Sequence, residues 1–482
     1  MLDLRPVLVG GGGVLVVMAL AMLFPALLDG VLDQPDSLVF IASSGVTLYV
    51  GLLLLLGHWM PRRGRPLSLR QSVVLTCSGW LLAGGAGALP FAFSSLHLSV
   101  TDAVFESLSG MTATASTLLH PVAALPPGLK LWRGLLQWLG GGATLMLAIM
   151  VLPTLQVGGM QLFRVETIGG ADRSLGRAFR LTGGCLLLYA GLTVLLALAL
   201  HLAGMLRLNA LIGAMAAVSC GGFLGQDADM AATLSPQIQA LLGLGMLLGG
   251  GPFVVYWLLG RRRWHQIRQS SQVLWYGALL LLAGLSLAGW LMVHERMPAV
   301  TAVGQGLLTA ISTMTGSGIA FLPTQEWGGW PAAILFFLSF VGGCAGSTSG
   351  GIKLFRLQVL LTTARLQLRR LLRPHAVVLP TYQKQDLSEG VAESVLGYLF
   401  VYTLSFAVVA MGLAMVGVEM RPALSLSAGA LANLGPGPAV EPVYGLAELP
   451  DAGKWLLSLA MLFGRLELFL PLVLFVPGFW KK

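Results

Sequence analysis

Polar residues interrupt this chain rarely, and the apolar runs between them are long enough to cross a bilayer as helices, which takes about 20 residues. Val7–Leu28 and Leu38–Met60 predict a first helical pair, joined by a turn carrying Asp29, Asp33 and Asp36. After a basic loop one pattern recurs four times: a full-length run, a half-length amphipathic segment ending in small residues, and a second full-length run. The first unit reads Ser72–Phe93, Asp102–Thr117, Leu129–Leu155; the second Leu181–Leu202, Leu208–Leu224, Ile238–Leu259. The third reads Val273–Val293, Ala302–Phe321, Trp330–Leu361; the fourth Val391–Val418, Pro422–Pro438, Lys454–Phe479. The expected divisions are 1–66 for the helical pair, then 67–160, 161–265, 266–375 and 376–482 for the four repeats.

The half-length segments are too short to span. Two full runs return the chain to the side it started from, so a third crossing would invert the next unit. Read as re-entrant hairpins, a short helix descending and a loop climbing back, the short segments leave every unit with the same orientation.

The last run of the third unit is broken within Val341–Arg356, VGGCAGSTSGGIKLFR. Clustered glycines loosen a helix, and non-helical backbone at membrane depth persists only beside protein or a water-filled cavity. We read a broken helix with a plug of small residues facing a polar pathway. Gly346 and Gly351 have the spacing of a phosphate-binding loop, but Ile352 stands where that loop needs lysine. An intramembrane hydrolase built on Ser347 or Ser349 lacks a histidine at matching depth, because His201 and His294 lie near outer span ends and His375 is cytoplasmic.

Composition agrees with a polytopic membrane protein: 56% of the 482 residues are hydrophobic and 10% charged, with mean hydropathy +0.81. Soluble domains carry about 25% charged residues. The N-terminal run has no small-residue cleavage site and is read as a retained helix. Cys77, Cys185, Cys220 and Cys344 show neither disulfide nor metal spacing. The net charge of +9 could point to nucleic acid, but 22 of the 29 Lys and Arg fall in loops on one side of these spans, which makes that side cytoplasmic. Thirteen of the 20 acids fall on the other side, where they would modestly concentrate cations.

The clusters that end the short segments carry the chemistry. They read Thr112-Ala113-Thr114-Ala115-Ser116, Ser219-Cys220-Gly221-Gly222-Phe223, Thr315-Gly316-Ser317-Gly318-Ile319 and Ala432-Asn433-Leu434-Gly435-Pro436. Each follows a helix whose negative dipole end points to mid-membrane. Carbonyls from four such loops can replace the water around a monovalent cation.

Further stretches make the chain resemble the TrkH-type membrane subunit of the Trk/Ktr/HKT potassium transporter superfamily. They are Phe105–Gly110 (FESLSG), Gln137–Gly142 (QWLGGG), Val157–Leu162 (VGGMQL), Gly342–Thr348 (GGCAGST), Asn433–Gly437 (NLGPG) and Phe463–Glu467 (FGRLE). The resemblance covers nearly the whole chain in the family's order. It implies an all-α fold of four helix/pore-loop/helix repeats in pseudo-fourfold symmetry around one pore, plus an N-terminal helix pair, and usually a homodimer. It implies potassium uptake across a bacterial inner membrane, both termini cytoplasmic, with sodium or protons as further candidate ions and no bound cofactor.

The filter carbonyls would come from Thr112, Ala113, Thr114, Ala115, Cys220, Gly221, Gly222, Gly316, Ser317, Gly318, Asn433, Leu434 and Gly435, with one family glycine matched by each of Ala115, Gly222, Gly318 and Gly435. The intramembrane gating loop corresponds to Gly343–Gly351, including Gly346, Ser347, Thr348 and Gly350, and Arg465 matches an arginine facing the pathway below the filter. The expected cytoplasmic partner is a TrkA-type ring of nucleotide-binding RCK subunits on the basic face; nucleic acid is not expected. Loop one departs from the family's usual Thr-Thr-Thr-Gly-Ala, which brings in a sodium-permeable or weakly selective pore as a rival reading. A non-conducting docking subunit is another. Arg465 is expected near the middle of its helix, with Glu467 pointing to another face.

Overall fold

The structure, a computed structural model, describes residues 3–58, 67–155, 158–160, 175–226, 228–262, 270–324, 327–373, 381–382, 385–386, 389–435 and 446–481. The basic stretches at 59–66, 161–174 and 263–269, His375, Lys384 and Lys482 lie outside them, as do Val157, Gln161, Leu162, Pro436 and Gly437 of the quoted motifs.

Apart from a two-residue antiparallel pair, Thr381–Tyr382 with Gln385–Asp386, the described chain is helical. The first helices, α1 (Arg5–Val31) and α2 (Ser37–Gly57), pack closely through glycine. A methyl carbon on Gly12 would lie 2.7 Å from the Gly51 carbonyl oxygen. Higher up, the Ser44 hydroxyl donates to Ala19 O at 2.8 Å.

Repeat one comprises α3 (Leu69–Phe93), a short α4 (Val100–Met111) and α5 (Pro127–Met146), which continues through a π turn to Leu155. Repeat two comprises α6 (Leu175–Leu202), a short α7 (Arg207–Ser219), then α8 (Pro236–Gly250) and α9 (Phe253–Gly260). Repeat three has α10 (Ser271–His294), a short α11 (Ala299–Thr315), then α12 (Gly329–Val341) and α13 (Leu354–Leu372). Repeat four has α14 (Glu389–Met415), a short α15 (Met420–Ala432) and α16 (Asp451–Arg465). Serine side chains fix several starts: Ser68 forms a capping box with Gln71, and Ser99 accepts from Asp102 N at 3.1 Å at the head of α4.

Among the described residues seven helices are long and apolar enough to span a membrane, and α8 with α9 makes an eighth if counted together. The four short helices sit between them as the sequence pattern requires. Their arrangement is cyclic. The third helix of each repeat packs on the short helix of the next: α5 on α7, α8 on α11, α12 on α15, and α16 back on α4.

Two runs read as continuous spans are not. Ile238–Leu259 bends by 95° between α8 and α9, where Gly251 and Pro252 intervene. Proline has no N–H to continue the ladder. Lys454–Phe479 stops at Arg465, turns through Glu467 and Leu468 at φ 61° and 30°, and resumes as the short helices Phe469–Val473 and Pro477–Trp480. Arg465 therefore ends its helix instead of sitting at the middle. The break in repeat three is where it was expected, from Gly342 to Lys353.

Because Gly12 touches backbone that cannot move aside, Gly12→Leu should lower the thermal midpoint of the purified protein by several degrees, from an overpacking cost of about 1–3 kcal/mol. The variant should remain monodisperse, since α1 and α2 lie outside the cyclic packing of the short helices. A thermal melt paired with a size-exclusion profile checks both.

Candidate functional site: four re-entrant loops and a broken helix

The four short helices end in one and the same way. The residue two beyond the helix end in α4, and one beyond it in α7, α11 and α15, takes a left-handed conformation: Ala113, Cys220, Gly316 and Asn433, at φ 54°, 54°, 83° and 55°. The next N–H then reaches back five residues, Thr114 to Ser109 O, Gly221 to Ala216 O, Ser317 to Ser312 O and Leu434 to Gly429 O, at 2.8–3.0 Å. The left-handed residue itself donates to the carbonyl three residues back in every case. This is the Schellman ending, and its fourfold recurrence puts four equivalent loops at one level.

Beyond it the loops close a ring in chain order. A methyl carbon on Gly222 would overlap Ser317 O of the next loop, and one on Gly318 would lie 2.5 Å from Leu434 O. One on Gly435 would lie 3.3 Å from Thr114 O, which closes the circle. Hydrogen bonds stitch two of the seams: Ser317 Oγ donates to Gly221 O at 2.9 Å, and Asn433 Nδ2 to Thr114 Oγ1 at 3.0 Å. Glycine at 222 and 318 is thus demanded by a neighbour's carbonyl; at 435 its φ of 83° is the stronger demand. Ala115 stands at the matching position of loop one in a left-handed conformation, φ 62°, with its methyl accommodated beside Gly222. A Cβ in that conformation costs roughly 1–2 kcal/mol.

Above the ring, Ala115, Gly222, Gly318 and Gly435 line the floor of a cavity of about 210 Å³. Its wall includes buried Arg133, paired with Glu106 at 2.9 Å and stacked 4.1 Å over the Phe223 ring. Glu106 also accepts from Thr117 Oγ1 at 2.8 Å and Leu118 N at 3.1 Å, so the carboxylate of the FESLSG motif fastens the chain leaving loop one.

The QWLGGG motif does the same for loop two. Gln137 forms a two-way bond with the Phe223 backbone, donating at 2.8 Å and accepting at 3.1 Å. Its Gly140 packs on Met111 O so closely that a methyl group would overlap it. Gly249 meets Val218 O and Gly464 meets Leu431 O in the same way. Met111, Val218 and Leu431 each lie two residues before the left-handed residue of their loops.

Below the ring lies the Gly342–Lys353 segment, and here sequence reasoning missed its supports. It is bonded to the bend between α8 and α9. Cys344 N donates to Gly250 O at 2.9 Å, Thr348 N to Gly249 O at 3.2 Å, and Phe253 N to Gly346 O at 3.1 Å. The Thr348 hydroxyl bonds Val218 O at 2.9 Å and Gly249 O at 3.0 Å. Gln272 of α10 accepts from Ala345 N at 3.0 Å, and Ser349 Oγ accepts from Gly343 N at 2.8 Å. Gly350 approaches Ala432 O and the Asn433 side chain from beneath.

Arg465 is 3% exposed and shares a narrow cavity with Gly346, Gly350 and Gly351; its volume of about 20 Å³ is room for roughly one water. Its Nε and one terminal nitrogen find no partner among the described residues. Two further cations were not foreseen. Lys353, buried at φ 75°, bonds Ser349 O. Arg356 pairs with Glu467 at 2.6 Å, donates to Gly158 O at 2.9 Å and stacks 3.6 Å over Tyr398. Glu467 lines the same cavity as Arg465, so the expectation that it faces elsewhere fails; the turn after Arg465, not helical periodicity, sets its direction. A Lys three residues before an Arg, just past a glycine run, was the available signal for Lys353 and Arg356.

Comparison with known proteins gives a consistent picture. A family model, TrkH, described as a cation transport protein, matches residues 46–482. The Trk system potassium uptake protein TrkI of Halomonas elongata is 39% identical over 471 residues, covering 97% of this chain and 95% of that one. The Trk system potassium uptake protein TrkH of Escherichia coli strain K12 is 33% identical over 468 residues, 96% of each. The crystal structure of the potassium transporter TrkH from Vibrio parahaemolyticus superposes with a TM-score of 0.90 at 29% identity over the full length of both chains.

The glycine run of α5 offers an internal control. A methyl group at Gly140 meets backbone, whereas at Gly142 nothing lies closer than 3.7 Å. Gly140→Ala should sharply reduce the yield of monodisperse protein and Gly142→Ala should leave it near native. Size-exclusion profiles of the two variants decide it.

Proposed function

The chain belongs to the TrkH family of cation transport proteins, and from that premise we propose that its four loops are the filter of a potassium pathway closed from below by the Gly342–Lys353 segment. The chain is a polytopic membrane protein of potassium uptake and not an enzyme. The observation that carries the finer reading is the ring itself: four identical helix endings, each loop set against a carbonyl or glycine of the next. Thr112–Ala115, Cys220–Gly222, Gly316–Gly318 and Asn433–Gly435 would then supply the oxygens that replace hydration water. Potassium is substrate here, not a resident cofactor.

The gate follows from the geometry below. Small residues fill the axis, and the space left beside Arg465 takes about one water. Lys353 and Arg465 add positive charge where a cation would leave the ring; Arg356 is matched by Glu467. Both features support a closed state that opens when the segment leaves the α8–α9 bend. Permeation through it would be channel-like. On this reading the basic loops and both termini would lie in the cytoplasm of a bacterium, under its inner membrane. There a TrkA-type nucleotide-binding subunit would act on the gate, and the transporter would work as a homodimer. Rubidium and sodium flux in proteoliposomes tests the scheme. Folded protein that passes neither ion would make the chain a docking subunit.

A second reading, a weakly selective cation pore, is favoured by Ala115. Three loops carry glycine at this position and loop one carries a methyl group in a left-handed conformation. Selectivity rests on the number and field strength of the coordinating carbonyls or on cavity size, and one constrained loop disturbs either. We expect a modest native preference for rubidium over sodium and a severalfold larger one in Ala115→Gly, since ~1.4 kcal/mol corresponds to tenfold. An equal and high ratio in both forms would show that Ala115 fits its turn without cost to discrimination.

For the gate, Arg465→Ala should raise basal flux, by about tenfold for each ~1.4 kcal/mol taken off the barrier, and Arg465→Lys should do less. Deleting Ala345–Ser349 should raise flux as well and weaken its dependence on the cytoplasmic partner. A lower flux from folded deletion protein would identify the segment as packing only.

A further inference from the structure

The seam between loops four and one joins the two ends of the ring, which are far apart in the chain and meet where α16 packs on α4. We propose that the Asn433 side-chain amide is a positioning residue for ion discrimination, acting on loop one through Thr114. This rests on the reading of the loops as a filter and adds to it a role for a side chain.

Asn433 Nδ2 donates to Thr114 Oγ1 at 3.0 Å and to Met461 O of α16 at 2.9 Å. The Met461 carbonyl can only accept, which fixes the amide's orientation. Thr114 Oγ1 lies 2.7 Å from Thr112 Oγ1, and Thr112 Oγ1 donates to Leu108 O at 2.8 Å. With the Thr112 proton committed to Leu108, the Thr114 hydroxyl must donate to Thr112. A single direction of donation therefore runs from Asn433 through both threonines into the last turn of α4. All three side chains are buried, at 1%, 0% and 0% exposure, so water does not compete for these bonds.

Loop one is the loop most in need of such a brace. Both of its left-handed positions, Ala113 and Ala115, carry a methyl group, whereas loop three has glycine at both. The Thr114 carbonyl is the one that faces Gly435 across the seam. Fixing the Thr114 side chain fixes the peptide that carries it. Asparagine suits the task twice: it tolerates the left-handed conformation its position requires, and it brings a donor that glycine lacks.

The test is the rubidium-to-sodium flux ratio in proteoliposomes for Asn433→Gly, Thr114→Val and the double variant. Each is measured in the native and the Ala115→Gly backgrounds. Asn433→Gly keeps the backbone conformation and removes the amide; Thr114→Val keeps shape and removes the hydroxyl. Each single change should lower the ratio by roughly fivefold, the equivalent of one ordinary hydrogen bond, and the double variant should fall no further than the worse single. Thr114→Ser should restore the ratio, because the hydroxyl remains. Additive losses, or an unchanged ratio in Thr114→Val, would overturn the proposal. If Asn433→Gly is not monodisperse, Thr114→Val against Thr114→Ser gives the same decision. Gly318→Asp separates this from the filter reading. Native flux through folded Gly318→Asp would remove the filter itself, while blocked flux with unchanged ratios in the other variants would remove only the brace.

Discussion

Everything at the centre of this molecule depends on one constraint: backbone that leaves a helix at membrane depth must find its hydrogen bonds in protein. The structure meets it by breaking two helices at the same level. Where α8 bends into α9, the carbonyls of Gly249 and Gly250 lose their helical donors; where α12 stops, the N–H groups of Cys344 and Thr348 lose their acceptors. Each set satisfies the other. Ile352 N still reaches Phe340 O, and Leu354 N reaches Gly343 O, so the broken helix is bridged across its own gap. The segment is thus held by hydrogen bonds to that bend and across its own gap.

The same constraint explains where glycine is irreplaceable. A Schellman ending satisfies the carbonyls of the second and third residues from a helix end. It leaves the next carbonyls to find other surroundings. At Met111, Val218 and Leu431 the neighbour is a glycine of the following long helix, Gly140, Gly249 or Gly464, pressed against the carbonyl with no side chain between. These contacts hold the third helix of three repeats at one distance from its short helix. They are the physical content of two of the motifs, QWLGGG and FGR, that make the sequence resemble its family.

Much of this was legible in the chain. Apolar length gave the spans, half-length segments gave the re-entrant helices, and the density of small residues located the break at Gly342–Lys353, because each of these signals is local. The bend at Gly251-Pro252 was present as a dipeptide but was hidden by the apolar residues on both sides, which keep the run long enough to read as one span. Arg465 was recognisable as a charge within an apolar run, yet its place at a helix end depends on the left-handed turn at Glu467, which its flanking sequence does not announce. Lys353 and Arg356 were assigned to a cytoplasmic basic stretch. The burial of Arg356 requires Glu467, 111 residues away, and the Gly158 turn, pairings that only the folded ring creates, whereas Lys353 bonds Ser349 O within its own segment.

These long-range pairings also give the ring its asymmetry. Arg356 and Glu467 neutralise one another, and Arg133 and Glu106 do the same above the ring. Burying a matched pair at these two places fixes loop ends without placing net charge near the axis. Arg465 and Lys353 are different. Lys353 bonds Ser349 O within its own segment, Arg465 lies beside Gly346, Gly350 and Gly351, and no carboxylate is paired with either among the described residues. On the proposed reading, a cation descending from the ring would be repelled by these two charges. If the segment is the gate proposed above, opening would take it away from the α8–α9 bend and free the space beneath the ring.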